Sequence, residues 1–287
     1  MNDQPVGGTL ARIRATLPAL LPSEQRVAEV VLARPKEVID WSVADLAAAA
    51  NTSSATAVRA CQHLGFRGFQ QLRLLLARDI GAGVQQVNPE FGPDDPPEAV
   101  ASAVFGAVSA AVAEGMSTVD TGALARAADL LTGAQRLLFV GNGGSAFVAQ
   151  AAALRFVSTG LPADAPADAV TQQITARLLG SADVCVAVSS SGANELTVRA
   201  AEAAQKAGAA VIGVTGFARS PLIGVTDIAL VTGTSSPLAA HNVMSGPMTQ
   251  LALLVSLHIT VGFRRTDRSQ EVLEEVWQII SPDQRRS

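Results

Sequence analysis

Cysteine is scarce in this sequence. Only Cys61 and Cys185 occur among 287 residues, and each lies inside an apolar run. A secreted domain stabilised by disulfides would need more cysteines, and so would a metal site built from thiolates. We therefore predict two buried thiols in a protein of the reducing cytoplasm, with neither a metal site nor a cofactor.

Long hydrophobic runs are lacking as well. The longest candidate, residues 251–263, covers about 13 residues and includes Ser256 and His258, whereas a helix needs roughly 20 apolar residues to span a bilayer. The opening residues MNDQPVGGTLARIR show no basic start followed by an apolar run, so no secretory leader is predicted. Hydrophobic residues still make up 48% of the chain and the mean hydropathy is +0.30, which excludes wholesale disorder. The sequence predicts a folded protein without a membrane partner.

Acidic residues are missing from residues 46–78, although the whole chain carries a net charge of −4. The basic residues of this stretch are Arg59, Arg67, Arg73 and Arg78. The first 80 residues hold nine basic and seven acidic residues, and the remainder holds 12 basic and 18 acidic ones. A basic segment on an otherwise acidic protein suggests contact with a polyanion. The alternative is four solvated arginines on helix surfaces, and composition does not separate the two.

A change of pattern divides the chain into three parts. Residues 1–80 have helical periodicity, and residues 81–97 (GAGVQQVNPEFGPDDPP) combine glycine, proline and acidic residues without periodicity, which predicts a linker. Residues 98–280 begin with a helical stretch to about residue 132, after which short apolar runs alternate with helical segments. The strand-like runs are RLLFVG, DVCVAVS, AAVIGVT and DIALVT. We predict an α/β chain: an all-α helix-turn-helix domain, then a domain with a doubly wound parallel sheet.

The helix-turn-helix prediction comes from residues 42–66, SVADLAAAANTSSATAVRACQHLGF. A first helix is predicted from Val43 to Ala50 and a second from Ser54 to Leu64, with small alanines that allow the two helices to cross closely. In such a motif the second helix enters the major groove of DNA. The predicted DNA contacts are Ser53, Ser54, Thr56, Arg59, His63 and Arg67. The alternative is a small helical bundle that does not bind DNA.

The segment from Pro22 to Arg78 resembles the N-terminal domain of RpiR-type bacterial regulators, which usually read S-x-A-T-V-x-R-F-C-x-x-L-G-F-x-G-F. The matching residues are Ser53, Ala55, Thr56, Arg59, Cys61, Leu64, Gly65, Phe66, Gly68 and Phe69. The sequence departs at Ala60, where the family prefers an aromatic residue, and at Gln62 and His63, where it commonly has lysine or arginine. The resemblance implies duplex DNA as a partner, and the departures imply fewer phosphate contacts.

A glycine-rich loop, VGNGGSAFVAQ, follows the first strand-like run and opens a helix. Gly143 and Gly144 allow the backbone to present N–H groups, and Ser145 adds a hydroxyl at the helix N-terminus, as in an anion site. The spacing of Gly141, Gly143 and Ala146, with Asp164 further on, also fits a dinucleotide-binding fingerprint. A third possibility is a tight turn without a ligand.

A second loop, AVSSSGANE, follows another strand-like run, and its hydroxyls favour a phosphate monoester over a dinucleotide. Together the two loops resemble the sugar isomerase (SIS) domain of phosphosugar-binding proteins. The resemblance covers roughly residues 104–264, through G-x-G-x-S, then S-x-S-G, then A-x-V-I-G-V-T. It implies phosphate ligation by Ser145, Ser189, Ser190 and Ser191. Asn194 stands where the family usually has threonine, and it is predicted as a further ligand.

The two resemblances together predict a homodimeric or homotetrameric transcriptional regulator that senses a phosphorylated sugar and does not turn it over. His241 and Asn242 are candidates for reading sugar hydroxyls, although His241 fits an ordinary surface loop equally well. His258 is predicted to be a satisfied core residue. The alternative function is a phosphosugar isomerase or lyase with an appended helical domain. Such an enzyme needs a paired acid and base, and only Glu195 and His241 are candidates near the loops.

Overall fold

The computed structural model describes residues 8–81, 94–233, 245–266, 269–272 and 274–275. The chain divides into two compact units. The first is drawn from Met1–Val119, Gly216–Ser220 and Val231–Thr249, and the second from Asp120–Thr215, Pro221–Leu230 and Gln250–Ser287. The units group residues by contact, and the predicted domain boundaries after residues 80 and 97 stay predictions.

Helices make up most of the described part of residues 1–119. They are α1 (Thr9–Thr16), α2 (Pro22–Ala33), α3 (Pro35–Val38), α4 (Val43–Ala49), α5 (Ser54–His63), α6 (Phe69–Gly81) and α7 (Pro97–Thr118). α7 is connected to α1 by an ion pair between Arg14 and Glu114, whose N and O atoms are 3.1 Å apart and whose side chains are almost buried. This contact with α1 explains why α7 belongs to the first unit.

The helix-turn-helix is confirmed with each helix one residue shorter at its end than predicted. Ser42 caps α4 in a capping box with Asp45, and Ser53 caps α5 by accepting a hydrogen bond from the backbone N–H of Thr56. Buried small residues lie on both helices, among them Ala47 and Ala57, so the two backbones approach closely. α2 and α6 enclose them in a single apolar core.

The second unit contains a five-stranded sheet. Its elements, with the end of β5 and the first turn of α12 grouped in the first unit, are α8 (Thr121–Gly133), β1 (Arg136–Gly141), α9 (Ala146–Val157), β2 (Ala163–Asp164), α10 (Ala169–Arg177), β3 (Asp183–Ser189), α11 (Glu195–Lys206), β4 (Ala210–Thr215), β5 (Ile228–Val231) and α12 (Ser245–Arg264). The strand order is β2-β1-β3-β4-β5, and the sheet is parallel. This order reverses direction between β1 and β3, as in doubly wound sheets. The predicted fold class is confirmed.

Three features of residues 98–280 differ from the prediction or were absent from it. The helical stretch 98–132 is two helices, because Val119 is extended and Asp120 caps α8 through the N–H of Ala123. β2 was not predicted because two residues carry no periodicity. α10 was not predicted either, since its apolar residues are few.

Two described helices are long and apolar enough to cross a membrane by length and composition, Pro97–Thr118 and Ser245–Arg264. The expectation that every apolar segment is too short to span a bilayer was wrong. The helix α12 begins six residues before the predicted apolar run, because the small uncharged residues that precede this run are also helical. Core helices of soluble proteins meet the same criteria, so this finding is weak. The absence of a membrane partner stays a prediction.

Candidate functional site

The surface of α5 exposes five of the six predicted DNA contacts. These are Ser53, Ser54, Arg59, His63 and Arg67. Thr56 is the exception, with 8% of its side chain exposed. Its hydroxyl is 2.9 Å from the Ser53 hydroxyl and accepts a hydrogen bond from Nη2 of Arg59 at 3.2 Å. The structure therefore gives Thr56 a role in holding the start of α5 and the Arg59 side chain.

His63 is tied to α2. Its Nδ1 lies 3.0 Å from Oε2 of Glu24, and the Glu24 side chain is almost fully buried. The same carboxylate oxygen lies 3.4 Å from the backbone N of Leu21 at the start of α2. His63 keeps 56% of its side chain exposed, so its ring fixes α5 to α2 while remaining at the surface. Its contact with DNA stays a prediction.

The four arginines of the acid-free stretch do not share one environment. Arg73 donates to the backbone oxygen of Trp41 at 3.2 Å, and Arg78 pairs with Asp79 at 3.5 Å. Arg73 thus joins α6 to the segment before α4, and the ion pair of Arg78 lies within α6. Arg59 and Arg67 are exposed on α5 and on the turn that follows it. Only this second pair fits the predicted contact with a polyanion.

Two arginines that the sequence analysis missed hold the helix-turn-helix in place. Arg26 of α2 donates to the backbone oxygens of Ala50 and Asn51, at 3.2 and 3.3 Å, in the turn between α4 and α5. Arg12 of α1 donates to the backbone oxygen of Gly65 at 2.6 Å, and its guanidinium stacks on the ring of Phe66. Both arginines lie outside the motif, so no local pattern reveals them.

The second candidate site lies at the carboxyl ends of β1 and β3. Gly141, the last residue of β1, pairs in register with Val188 of β3, so the loops after both strands leave the same edge of the sheet. The strand order reverses between these two strands. Ligands of doubly wound sheets bind in the crevice at such a point.

The first loop is built on glycine. A side chain at Gly141 would place its Cβ 2.8 Å from the backbone oxygen of Ser145, and Gly143 has a φ of +60°. Residues 143–145 form one tight turn that leads directly into α9. Gly143 and Gly144 are exposed and Ser145 is nearly buried. The loop therefore places Gly143 and Gly144 at the N-terminus of α9, and their donation of backbone N–H groups to an anion stays a prediction.

The second loop meets the first through a hydrogen bond. The backbone N of Ser190 donates to Oγ of Ser145 at 3.3 Å, and Oγ of Ser190 donates to Oε1 of Gln250 at 3.2 Å. Ser189 is buried at the end of β3, whereas Ser191 is exposed, with its Oγ accepting from the N–H of Ala193. The structure brings the predicted serines together at one edge of the sheet.

Asn194 caps α11. Its Oδ1 accepts hydrogen bonds from the backbone N and from Oγ1 of Thr197, at 3.2 and 3.3 Å. The departure from the threonine of the family thus places a good N-cap residue at the start of the helix. Ligation of a phosphate by Asn194 stays a prediction.

A buried polar network that the sequence analysis missed supports both loops. Nδ2 of Asn142 donates to Oε1 of Gln172 at 3.0 Å and to Oγ1 of Thr197 at 3.1 Å. Nε2 of Gln172 in turn donates to the backbone oxygens of Gly141 and Pro166. Asn142 stands within the glycine-rich loop and could have been singled out there. Gln172 lies 30 residues away, and only the fold brings it to the loop.

The remaining ionisable candidates do not form an acid–base pair in the described structure. Glu195 is exposed and pairs with Arg199 one helical turn along α11. His241 and Asn242 lie outside the described residues. Among the residues that the structure describes, no group of three histidine, cysteine or acidic side chains could hold a metal ion.

His258 corrects the prediction of a satisfied core histidine. Its Nε2 lies 3.0 Å from Oγ of Ser158, and its ring packs edge-on against Phe156. Its Nδ1 is buried and has no hydrogen-bond partner within the described part of the chain. Burial, and secondarily the charge of Arg155, lower the pKa of His258 below its usual 6.5. The residue is therefore only half satisfied.

Comparison with known families assigns both parts of the chain. A helix-turn-helix domain of the rpiR family matches residues 7–83, and the SIS domain matches residues 130–259. The second match contains both loops of the candidate site, the glycine-rich loop after β1 and the serine-rich loop after β3. The first match contains all six predicted DNA contacts. These matches favour the phosphosugar-binding interpretation of the glycine-rich loop over the dinucleotide fingerprint.

Individual proteins resemble the chain over nearly its whole length. The HTH-type transcriptional regulator HexR of Pseudomonas aeruginosa is 31% identical over 273 residues, which cover 95% of this chain and 95% of that protein. The structure of the Vibrio vulnificus NanR protein complexed with ManNAc-6P superposes with a TM-score of 0.60 at 22% identity, covering 96% of this chain and 98% of that one. An RpiR transcription factor from Sphaerobacter thermophilus (sugar isomerase domain) superposes with a TM-score of 0.56 at 24% identity, covering 62% and 97%. The two structures show a shared fold.

Proposed function

Because the chain belongs to the RpiR family of helix-turn-helix transcriptional regulators, we propose that α5 reads operator DNA and that the crevice between the β1 and β3 loops binds a phosphorylated sugar. Like the HTH-type transcriptional regulators named HexR that it resembles, the chain is a DNA-binding regulator, and we propose that it has no enzymatic activity. The proposed domains are residues 1–80 for DNA binding, 81–97 as linker and 98–280 for the effector. Effector binding shifts the affinity for DNA, and thermodynamic reciprocity requires DNA to shift effector affinity by the same factor.

One observation carries the effector site: the hydrogen bond from the N of Ser190 to Oγ of Ser145. It brings two strand-end loops together at the edge of the sheet where doubly wound folds bind their ligands. A phosphate dianion accepts several short hydrogen bonds, and hydroxyls beside a helix N-terminus supply them. The proposed ligands are Ser145, Ser189, Ser190, Ser191 and Asn194, with the backbone of Gly143 and Gly144. His241 is proposed as a contact to the sugar.

A regulatory role for the crevice is supported by the small number of candidate general bases among its described residues. Aldose–ketose isomerisation needs a group that moves a proton between adjacent carbons, with a pKa near neutrality. Glu195 is exposed and engaged with Arg199, which makes it a poor base for that purpose. We therefore propose that binding energy in the crevice is used to shift the DNA-binding equilibrium.

The DNA contact is tested with Arg59→Ala in the full chain. We expect operator affinity to fall by about 1–3 kcal/mol if Arg59 reaches a base edge. Gel shifts against the upstream region of the protein's own gene give the measurement. Arg126→Ala removes the same charge from an exposed arginine on α8 and should leave DNA affinity nearly unchanged. Equal losses in the two variants would show a general charge effect and would contradict the assignment of α5.

The effector contact is tested with Ser191→Ala. A hydrogen bond to a charged ligand contributes about 1.5–3 kcal/mol, so calorimetry with a panel of sugar phosphates should show a loss of that size. Ser181→Ala serves as the control, because Ser181 is exposed at the opposite end of β3. The dephosphorylated sugar should bind far more weakly than its phosphate. Equal affinity for the two would refute the phosphate site.

We propose further that the protein is a cytoplasmic homodimer or homotetramer without a membrane partner. Large apolar side chains remain exposed on α9 and α12 of the second unit. They are Leu154, Val157, Ile259 and Phe263. A second copy that covers them would account for apolar surface on a protein that must reach DNA in water.

A further inference from the structure

The side chain of Gln250 is fully buried and only half satisfied. It lies on α12, with 0% of its surface exposed. Its Oε1 accepts the hydroxyl hydrogen of Ser190 at 3.2 Å, while its Nε2 has no hydrogen-bond partner among the described residues. The carboxamide of Gln250 is thus held through its oxygen at the loop after β3, and its two N–H donors are unused within the described residues.

Leaving these donors unused is costly. A buried polar group without a partner destabilises a folded protein by about 1–3 kcal/mol, and native structures contain few of them. The rest of α12 shows that an apolar side chain would suit this helix, since Leu253, Leu254 and Leu257 are all buried. An amide at such a position is explained by a ligand that supplies the missing hydrogen-bond acceptor.

The neighbours of Gln250 identify that partner. Gln250 is joined to Oγ of Ser190, and the backbone N of Ser190 is joined to Oγ of Ser145. One chain of hydrogen bonds therefore runs from α12 through both loops of the effector crevice. We propose, resting on the effector site of the proposed function, that Nε2 of Gln250 donates to the phosphoryl group of the effector. A phosphoryl dianion accepts hydrogen bonds and donates none, so it pairs with this nitrogen and not with Oε1.

This assignment changes the role of Ser190. Its hydroxyl hydrogen is directed at Oε1 of Gln250, so the hydroxyl does not donate to a ligand while that bond persists. Ser190 then acts by holding Ser145 through its backbone N–H and by orienting the amide, and Gln250 supplies the side-chain donor. The proposed site is then built from three parts of the chain, which are the loop after β1, the loop after β3 and the helix α12.

The test measures ligand affinity and unliganded stability on the same variants of the full chain. Calorimetry with inorganic phosphate and with ManNAc-6P is carried out on the wild type, on Gln250→Met and on Ser256→Ala. Methionine fills a similar volume without hydrogen-bonding groups. Ser256 lies on the same helix and is exposed, so its variant is the control. We expect Gln250→Met to lower the affinity for both probes at least about tenfold. The melting temperature of this variant without ligand should be unchanged or higher than that of the wild type.

Gln250→Glu gives a second measurement that does not depend on the methionine variant folding well. Glutamate keeps an acceptor for Ser190 and replaces the amide donor by a carboxylate oxygen, which repels phosphate. The loss of affinity should therefore exceed that of Gln250→Met, and it should lessen with rising salt concentration.

Each alternative result has a distinct meaning. Unchanged affinity for both probes in Gln250→Met and Gln250→Glu overturns the role of Gln250 and leaves the proposed effector site standing. A loss for ManNAc-6P with unchanged affinity for inorganic phosphate overturns the assignment to the phosphoryl group. If the wild type binds neither inorganic phosphate nor any sugar phosphate of the panel, the proposed function itself fails, and the role of Gln250 fails with it.

Discussion

At the residue scale, burial decides which polar side chains are available for chemistry. Both cysteines are free and buried, and burial raises the pKa of the Cys61 and Cys185 thiols to about 12. A thiol with so high a pKa forms almost no thiolate near neutral pH, so neither is a reactive group or a metal ligand in the folded state. The predicted buried thiols are confirmed, and their positions in two separate cores explain why.

The half-satisfied histidine makes stability depend on pH. The pKa of His258 is lowered in the folded state by burial first and by Arg155 second, so the unfolded chain binds this proton more tightly. Its contribution to the free energy of unfolding is complete above pH 6.5 and is lost as the pH falls through the folded-state pKa. The variant His258→Gln has no titrating side chain at this position. Its free energy of unfolding should therefore fall less than that of the wild type between pH 7.5 and pH 5. Urea denaturation across this range gives the measurement, and solvent screening keeps the difference modest.

The result that contradicts this prediction is simple. If His258→Gln and the wild type lose stability in parallel as the pH falls, the dependence comes from other groups. A variant that is merely less stable at every pH reports the lost bond to Ser158 and not the titration.

At the scale of elements, the end of α5 is fixed by the turn that follows it. Gly65 has a φ of +83° and its backbone oxygen accepts from Arg12 of α1. The next residue, Phe66, is buried beneath the Arg12 guanidinium. Only glycine adopts this backbone conformation without strain, so α5 ends here and the chain turns toward α6. The orientation of the predicted recognition helix depends on this turn.

Gly65→Ala should therefore destabilise the protein by about 2 kcal/mol, since the left-handed conformation costs a side chain about 1–2 kcal/mol and the new Cβ overlaps the Arg12 guanidinium. Thermal and urea denaturation measure the loss. Gly180→Ala is the control: no heavy atom lies within 4 Å of its added Cβ, and the change should stay within about 0.5 kcal/mol. Equal effects at the two glycines would contradict the role given to the turn.

At the scale of the whole molecule, exposed apolar surface calls for a cover. Phe263 has 77% of its side chain exposed on α12, and Leu154 has the same fraction exposed on α9. The ends of these two helices are neighbours, since His258 bonds to Ser158 and Arg265 donates to the backbone oxygen of Thr159. We propose that the exposed residues form one apolar area of the second unit, which fits a contact between two copies of the chain.

Phe263→Asp should shift the protein toward monomer, because a charge placed in an apolar contact loses its water without gaining a partner. Light scattering after size-exclusion chromatography gives the mass across a range of concentrations. Val170→Asp, at an equally exposed apolar position near the start of α10, should leave the mass unchanged. A Phe263→Asp protein with the wild-type mass at all concentrations would place the contact elsewhere.

The sequence by itself determined the helix-turn-helix, four of the five strands and the two loops of the candidate site. Capping serines, the glycine after α5 and runs of β-branched residues predicted the helix-turn-helix and four strands to within one residue at each end. These signals are local, and each arises from a neighbour a few residues away. The serine loops were found for the same reason, since hydroxyls beside a strand end and a helix start are visible in the sequence.

The tertiary structure alone decided which polar groups meet across the fold. It pairs His63 with Glu24, places Gln172 under the glycine-rich loop and brings Gln250 to Ser190. These partners are separated by 30 to 60 residues, and no periodicity connects them. A single glutamine in an apolar helix carries no sign of its role, because its role depends on the loop that packing places beside it. Local chemistry is thus set by the sequence, and the meeting of distant polar groups at the candidate site is set by the packing of helices on the sheet.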